Sequence, residues 1–375
     1  MALTITNFQP VGLDEAPAEI RIDDNGFVTN ERFKKSEFID AKGAYLSAGW
    51  CDLHVHVWHG GTDISVRASQ AGRATGVTAM ADAGSAGEGS FHGLREYVIN
   101  PAAETIRAFI NIGSIGLVAC NRIPELADLR SIDIDRTLEV IESNRDVICG
   151  VKVRASGAIV GTWGITPLRI AKRVAEIAKL PLMAHIGEPP PMVDEVLPIL
   201  SQGDIVTHCF NGKPAGSIAD TDELWRMARQ AADRGIRVDV GHGAASFDMD
   251  VARRAIEEDF EPFSISTDLH LGNINGPVYD MAFTVSKMHA LGMEIEACIA
   301  AITERPRSVL QLPARQNAAL GARADFTLFR IIDADAEATD SMGKTLQLSK
   351  LFKPFATVIG SSYSSAGTRL PNREL

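Results

Sequence analysis

The sequence lacks several features that would have settled its class at once. Its five cysteines, Cys51, Cys120, Cys149, Cys209 and Cys298, are scattered singly with no Cys-X-X-Cys spacing. An odd, dispersed set excludes a disulfide framework and fits free buried thiols in a reducing compartment. No block of lysine and arginine occurs, and 37 basic against 48 acidic residues leave a net charge of -11, which repels nucleic acid and anionic membrane surfaces. No apolar run approaches the length of a membrane span, and Met1 to Thr6 is not a basic segment leading into an apolar one. A cytoplasmic protein is therefore expected, without nucleic-acid or membrane partners. No Gly-X-Gly-X-X-Gly follows the first candidate strand of the central region, which removes the main sign of an open dinucleotide-binding sheet.

What is present reads as a large folded protein, since 45% hydrophobic and 23% charged residues are globular averages and 375 residues can bury a large core. Residues 1–45 predict short strands at Leu3 to Thr6, Glu19 to Ile22 and Gly26 to Asn30, with a hairpin turn at Asn25-Gly26. From residue 46 the texture changes to apolar, β-branched runs separated by helical periodicities. The runs are Leu46 to His56, Val77 to Ala83, Ala108 to Ile115, Ile148 to Val153, Leu182 to His185, Ile205 to Thr207, Ile236 to Val240 and Phe263 to Thr267. Amphipathic stretches such as Ile134 to Ser143, Leu168 to Lys179, Thr221 to Arg234 and Val251 to Asp259 lie between them. Eight such alternations predict an α/β fold, a (β/α)8 TIM barrel over 46–317. Strand texture returns at Gly321 to Phe329, Thr345 to Leu348 and Ala356 to Ile359, so residues 1–45 and 318–375 are expected to form a small β-sandwich domain together.

Within the first barrel run, Trp50-Cys51-Asp52-Leu53-His54-Val55-His56 places two histidines two positions apart, on one side of a strand. Barrel enzymes carry their chemistry at the C-terminal ends of the strands. Reading only those ends collects His54 and His56, Lys152, His185, His208 and Asp268 on one rim. Imidazoles and a carboxylate suit zinc or a neighbouring divalent ion, and so many ligands exceed what one catalytic ion takes, which favours a pair. Lys152 then fits only if its amine reacts with carbon dioxide to form an anionic carbamate. Burial beside Val151 and Val153 would supply the neutral amine that this needs. Taken alone, His185 reads more readily as a core histidine, and Asp268 could cap the next helix.

Ser47 to His56 resembles the opening metal motif of the amidohydrolase superfamily, and Gly321 to Phe329 resembles its returning C-terminal strand. The likeness is to the binuclear branch with dihydroorotase-like and deacetylase-like enzymes. It implies His54, His56 and Asp268 on an inner ion, His185 and His208 on an outer one, and carboxylated Lys152 bridging them, with Asp268 as the catalytic proton carrier. Dihydroorotase-like enzymes usually carry an arginine two residues after the second histidine, where this chain has Trp58. His185-X-X-Glu188 has the spacing of mononuclear deaminases, but those lack the bridging lysine.

Arg154 shares the strand face of Lys152 and is a candidate clamp for a substrate carboxylate. His270, Asn273 and His242 are further candidates for substrate contact, while His59, His92 and His289 read as solvated or structural. The expected activity is metal-dependent hydrolysis of an amide or ester in a small molecule, foremost deacetylation of an N-acyl amino acid or O-acetyl hydroxy acid. Cyclic amide hydrolysis is the alternative, followed by heterocycle deamination or a noncatalytic binding barrel. Expected cofactors are two divalent ions, zinc foremost, and carbon dioxide for Lys152. The expected partner is a small substrate bearing a carboxylate, with further copies of the chain in a homo-oligomer as an option.

Overall fold

The computed structural model describes residues 1–371. Seven parallel strands form one sheet in sequence order: Trp50–Val55, Val77–Gly87, Thr105–Asn111, Ile148–Arg154, Leu182–His185, Ile205–Thr207 and Arg237–Asp239. The eighth run is not a regular strand. Residues 263–269 nevertheless close the barrel, because Val240 N donates to Ser264 O at 3.0 Å on one side and His56 N donates to Leu269 O at 3.1 Å on the other. The result is the predicted α/β TIM barrel.

Helices begin where short polar side chains accept from the first turn, as Asp133 does from Arg136 N, Thr221 from Leu224 N and Asp248 from Asp250 N. The apolar faces of these helices join one outer core around the barrel. A separate inner core of Cys51, Leu53, Ala79, Ala81, Ala83, Phe109, Cys149, Met183 and Ile205 fills the barrel, closed by Val309 and Leu310. All five cysteines are buried, in keeping with the sequence. No helix among the described residues is long and apolar enough to cross a membrane.

The two ends of the chain supply a four-stranded and a five-stranded sheet, whose shared core includes Leu3, Ile5, Ile20, Ile22, Phe326, Leu328 and Val358. The run Leu46 to His56 divides between the two bodies. Tyr45–Ala48 pairs antiparallel with the segment from Phe326 to Phe329, and the barrel starts at Trp50. Gly49 is the crossing point, where any Cβ would stand 1.9 Å from Thr78 Oγ1 and 2.0 Å from Asp325 Oδ1. The two short C-terminal strand signals at Thr345 and Ala356 are parts of one strand, Thr345–Ile359, which forms a long hairpin with Asp325–Thr339. Its inner half belongs to the small domain. Its outer half runs along the barrel, with Ala338, Leu348, Leu351 and Phe352 buried in the barrel's outer core.

Candidate metal centre

His54, His56, Lys152, His185, His208 and Asp268 all line one cavity of about 310 Å³ at the C-terminal ends of the strands, together with Arg154 and His270. His185 points inward by ordinary strand alternation with Met183, and Lys152 alternates with outer-core Val151 and Val153 beyond a register shift between Ile148 and Gly150; Lys152 Nζ lies 3.2 Å from His54 Nε2 and 3.4 Å from Met183 Sδ. The other ligand candidates face inward because alternation is broken. Cys51 and Leu53 pack inside the barrel, so strict alternation would turn His54 and His56 outward. A register shift between Asp52 and Val55 reverses the facing, and Val55 and Val57 join the outer core instead. Asp52 fixes the irregular stretch by accepting from His54 N at 3.2 Å and from the Thr267 hydroxyl at 2.5 Å. His208 and Asp268 follow inward-facing Thr207 and precede outer-core Leu269 respectively, and each adopts a left-handed backbone, with φ of 65° and 50°. That conformation is uncommon outside glycine and asparagine and clusters at functional sites.

The imidazoles are aimed by their other nitrogens. Thr207 donates its hydroxyl to Asp239 Oδ2 at 2.7 Å, so its oxygen accepts from His54 Nδ1–H at 2.9 Å. His208 Nδ1–H donates to the carbonyl of Gly241 at 2.6 Å, and His56 Nδ1 pairs with Ser85 Oγ at 2.9 Å. Fixing Nδ1–H on His54 and His208 leaves their Nε2 lone pairs facing the cavity, as metal ligation requires. Asp268 Oδ1 lies 3.1 Å from His56 Nε2 and 3.4 Å from His54 Nε2. Ligand atoms of His54, His208 and Asp268 fall within 4.8 Å of one another, and His185 Nε2 is buried with no hydrogen-bond partner. An orphaned nitrogen beside converging lone pairs and a carboxylate fits a divalent cation. Asp268 therefore caps no helix, and His185 is not a satisfied core histidine.

Electrostatics agree with that donor set. Burial, then the nearby Lys152, hold His54 well below the usual imidazole value. Burial lowers His208 to about 4, and His185 well below its usual range. These rings are neutral near pH 7. Burial lowers the Lys152 amine to about 7, so a large neutral fraction is available there. Burial pushes the Asp268 carboxyl up, but His54 and His56 outweigh it and hold the group well below the ordinary carboxylate range. Glycines keep the space open: a Cβ at Gly84 would stand 2.7 Å from Lys152 Cγ, and one at Gly243 would stand 2.6 Å from Asp268 Oδ2.

Arg154 reaches the cavity wall, where Glu125 holds its Nε and Nη2 at 2.8 and 2.6 Å. Neither His242 nor Asn273 is among the residues that line the cavity. His242 is fully buried against Lys287 and Phe247. Asn273 braces the turn from behind, its Nδ2 donating to Asp268 O at 2.8 Å and its Oδ1 accepting from His270 N at 2.9 Å. Of the other histidines, His59 and His92 are exposed and His289 is half-buried, its Nδ1 2.9 Å from Met293 O. Sequence reading missed Thr207, Asp239, Glu125 and the wall ion pair of Lys213 with Glu188. Asp239 had a usable signal, a carboxylate between Val238 and Val240 at a strand end; Glu125 and Lys213 lie in loops and had none.

A family model described as a deacetylase-like composite domain matches residues 319–363. Deacetylases from Brucella anthropi and Agrobacterium fabrum are 50% and 49% identical to this chain, each alignment covering 98% of it and 94% and 93% of the relative. A crystal structure described as a dihydroorotase is 47% identical, with a TM-score of 0.96 over 99% of this chain and 100% of that one.

Proposed function

The chain belongs to the amidohydrolase superfamily, and on that premise we propose that it hydrolyses the acetyl amide or ester of a small acid, an N-acyl amino acid or O-acetyl hydroxy acid. The supporting observation is Lys152: a buried amine lowered to about 7 and set 3.2 Å from a histidine nitrogen whose lone pair faces the same cavity. Its hydrogen-bond partners are a histidine nitrogen and a thioether, and among the described residues no carboxylate pairs with it. Neutral amine adds to carbon dioxide through its nitrogen and loses a proton, which gives an anion with two oxygens. With that anion, the four histidines and Asp268 would hold two divalent ions, zinc foremost. Bound ions would supply Lewis acidity and a hydroxide at neutral pH.

The chain's own residues do the remaining work. Asp268, kept ionised, accepts the proton of the attacking water and delivers it to the leaving nitrogen or oxygen. Thr207, Ser85 and the carbonyl of Gly241 fix the histidine rings so that this carboxylate meets an ordered site. Arg154, held rigid by Glu125, presents a cation on the wall to the substrate's carboxylate. Ile64, Leu117 and Ile159 provide apolar wall beside it.

Cyclic amide hydrolysis is the second reading, favoured by the likeness to a structure described as a dihydroorotase. Against it stands Trp58, whose indole packs over Gly61 and lies outside the cavity lining. Zinc-loaded protein assayed with N-acetyl and O-acetyl acids of both hands, and with dihydroorotate and hydantoins, separates the two. Release of acetate supports the proposal; ring opening with no acetate release overturns it. Two equivalents of metal per chain are expected.

A further inference from the structure

Lys287 is fully buried on the helix Met281–Ala290 and forms no salt bridge among the described residues. Its nitrogen meets a polar partner in each of three segments. Nζ donates to Pro277 O at 2.6 Å and to Thr339 O at 2.8 Å, and pairs with His242 Nε2 at 2.8 Å. His242 lies in the loop after the seventh strand, Pro277 in the loop after the eighth, and Thr339 at the outer end of the C-terminal hairpin. Burying a lysine nitrogen without a carboxylate partner is costly, and an apolar chain of similar volume would pack there more cheaply. The need for it lies in what those segments carry.

The loop after the seventh strand carries Gly241, whose carbonyl orients His208, then Gly243 against Asp268, then Ala244 to Ser246 on the cavity wall. The loop after the eighth carries Asn273, which holds the backbone of Asp268. The hairpin tip grips the first of these loops directly: Ser341 N donates to Phe247 O at 3.0 Å and Ser341 Oγ to Gly243 O at 3.0 Å. Asp340 Oδ2 accepts from Met249 N at 3.0 Å just beyond it.

We propose that Lys287 is a positioning residue: its side-chain nitrogen ties the two loops to the hairpin end and so seats the backbone that aims His208 and Asp268. This rests on those two residues belonging to the working site. The C-terminal hairpin thereby acts as a brace between the small domain and the cavity wall.

The test is Lys287→Met, read by hydrogen exchange, zinc retention against a chelator, and kinetics. Exchange over 241–246, 270–279 and 339–345 should rise together by tenfold or more, with the strand Thr105–Asn111 unchanged. Zinc should be lost at least tenfold faster, and kcat should fall tenfold or more with KM within threefold. A rise confined to the helix, an even rise along the chain, or unchanged zinc retention and kcat overturns the proposal. Should that variant not fold, His242→Phe removes one tie alone. Exchange should then rise over 241–246 and not over 339–345, and a rise in both or in neither overturns it. Exchange and zinc retention are read whether or not an acetylated acid is turned over, so failure of the proposed activity leaves this test standing.

Discussion

Two ways of aiming a side chain meet in this cavity. Lys152 and His185 sit on stretches paired residue by residue, with Lys152 opposite Met183 and Arg154 opposite His185, where alternate residues face inward; the register shift of the Lys152 strand lies before that stretch, between Ile148 and Gly150. His54 and His56, His208 and Asp268 face inward because a bulge or a left-handed residue breaks that rule. The difference separates what a strand supplies without strain from what the surroundings must enforce. Each irregular position is held by a named partner: Asp52 at the bulge, Gly241 beside His208, Asn273 behind Asp268.

The largest effect should come from Asp268→Asn. Asparagine tolerates the left-handed backbone, so the fold should survive, while loss of the proton carrier should lower kcat by roughly 10² to 10⁴. Metal content measured beside turnover checks this; near-normal turnover would remove Asp268 from the mechanism.

A second test follows from the buried imidazoles of metal-free protein. His208 has its folded value lowered to about 4 from 6.5, so between those limits the unfolded chain binds more protons than the folded one. Stability from this group is complete above about pH 6.5 and is lost as pH falls toward 4, by up to about 3 kcal/mol. Denaturant titrations of metal-free protein at pH 7 and pH 5 should show the loss, and His208→Asn should reduce it.

Asp239→Asn should weaken zinc affinity by about 10- to 100-fold, because it loosens the Thr207 link that fixes His54. Competition with a chelator measures it, and Lys152 and His185 should stay in place in the variant's structure. The smallest effect contrasts the two kinds of position directly. A β-branched residue suits a strand and not a left-handed turn, so His208→Val should cost roughly 1–2 kcal/mol more stability than His185→Val. Equal costs would mean that the irregular backbone is not strained at all.

The barrel was legible because its strands are apolar runs of the right length, and four helices announced themselves by periodicity. The rim residues were legible as chemically odd members of those runs, Lys152 above all. The eighth strand was not legible as irregular, since Ser264 to Thr267 reads as an ordinary strand while Asp268 turns the chain. His242 raises a related point: a histidine between two glycines looks available in the sequence, and only packing shows its ring against Lys287.

By itself, the order of amino acids determined the alternation of strand and helix, the two-ended small domain, and the residue types gathered at one rim, because periodicity and chain direction are local properties. Which way His54, His208 and Asp268 point, and that Glu125 clasps Arg154, only the tertiary structure decided. Those outcomes depend on hydrogen bonds between segments far apart in the chain, and no local pattern encodes them.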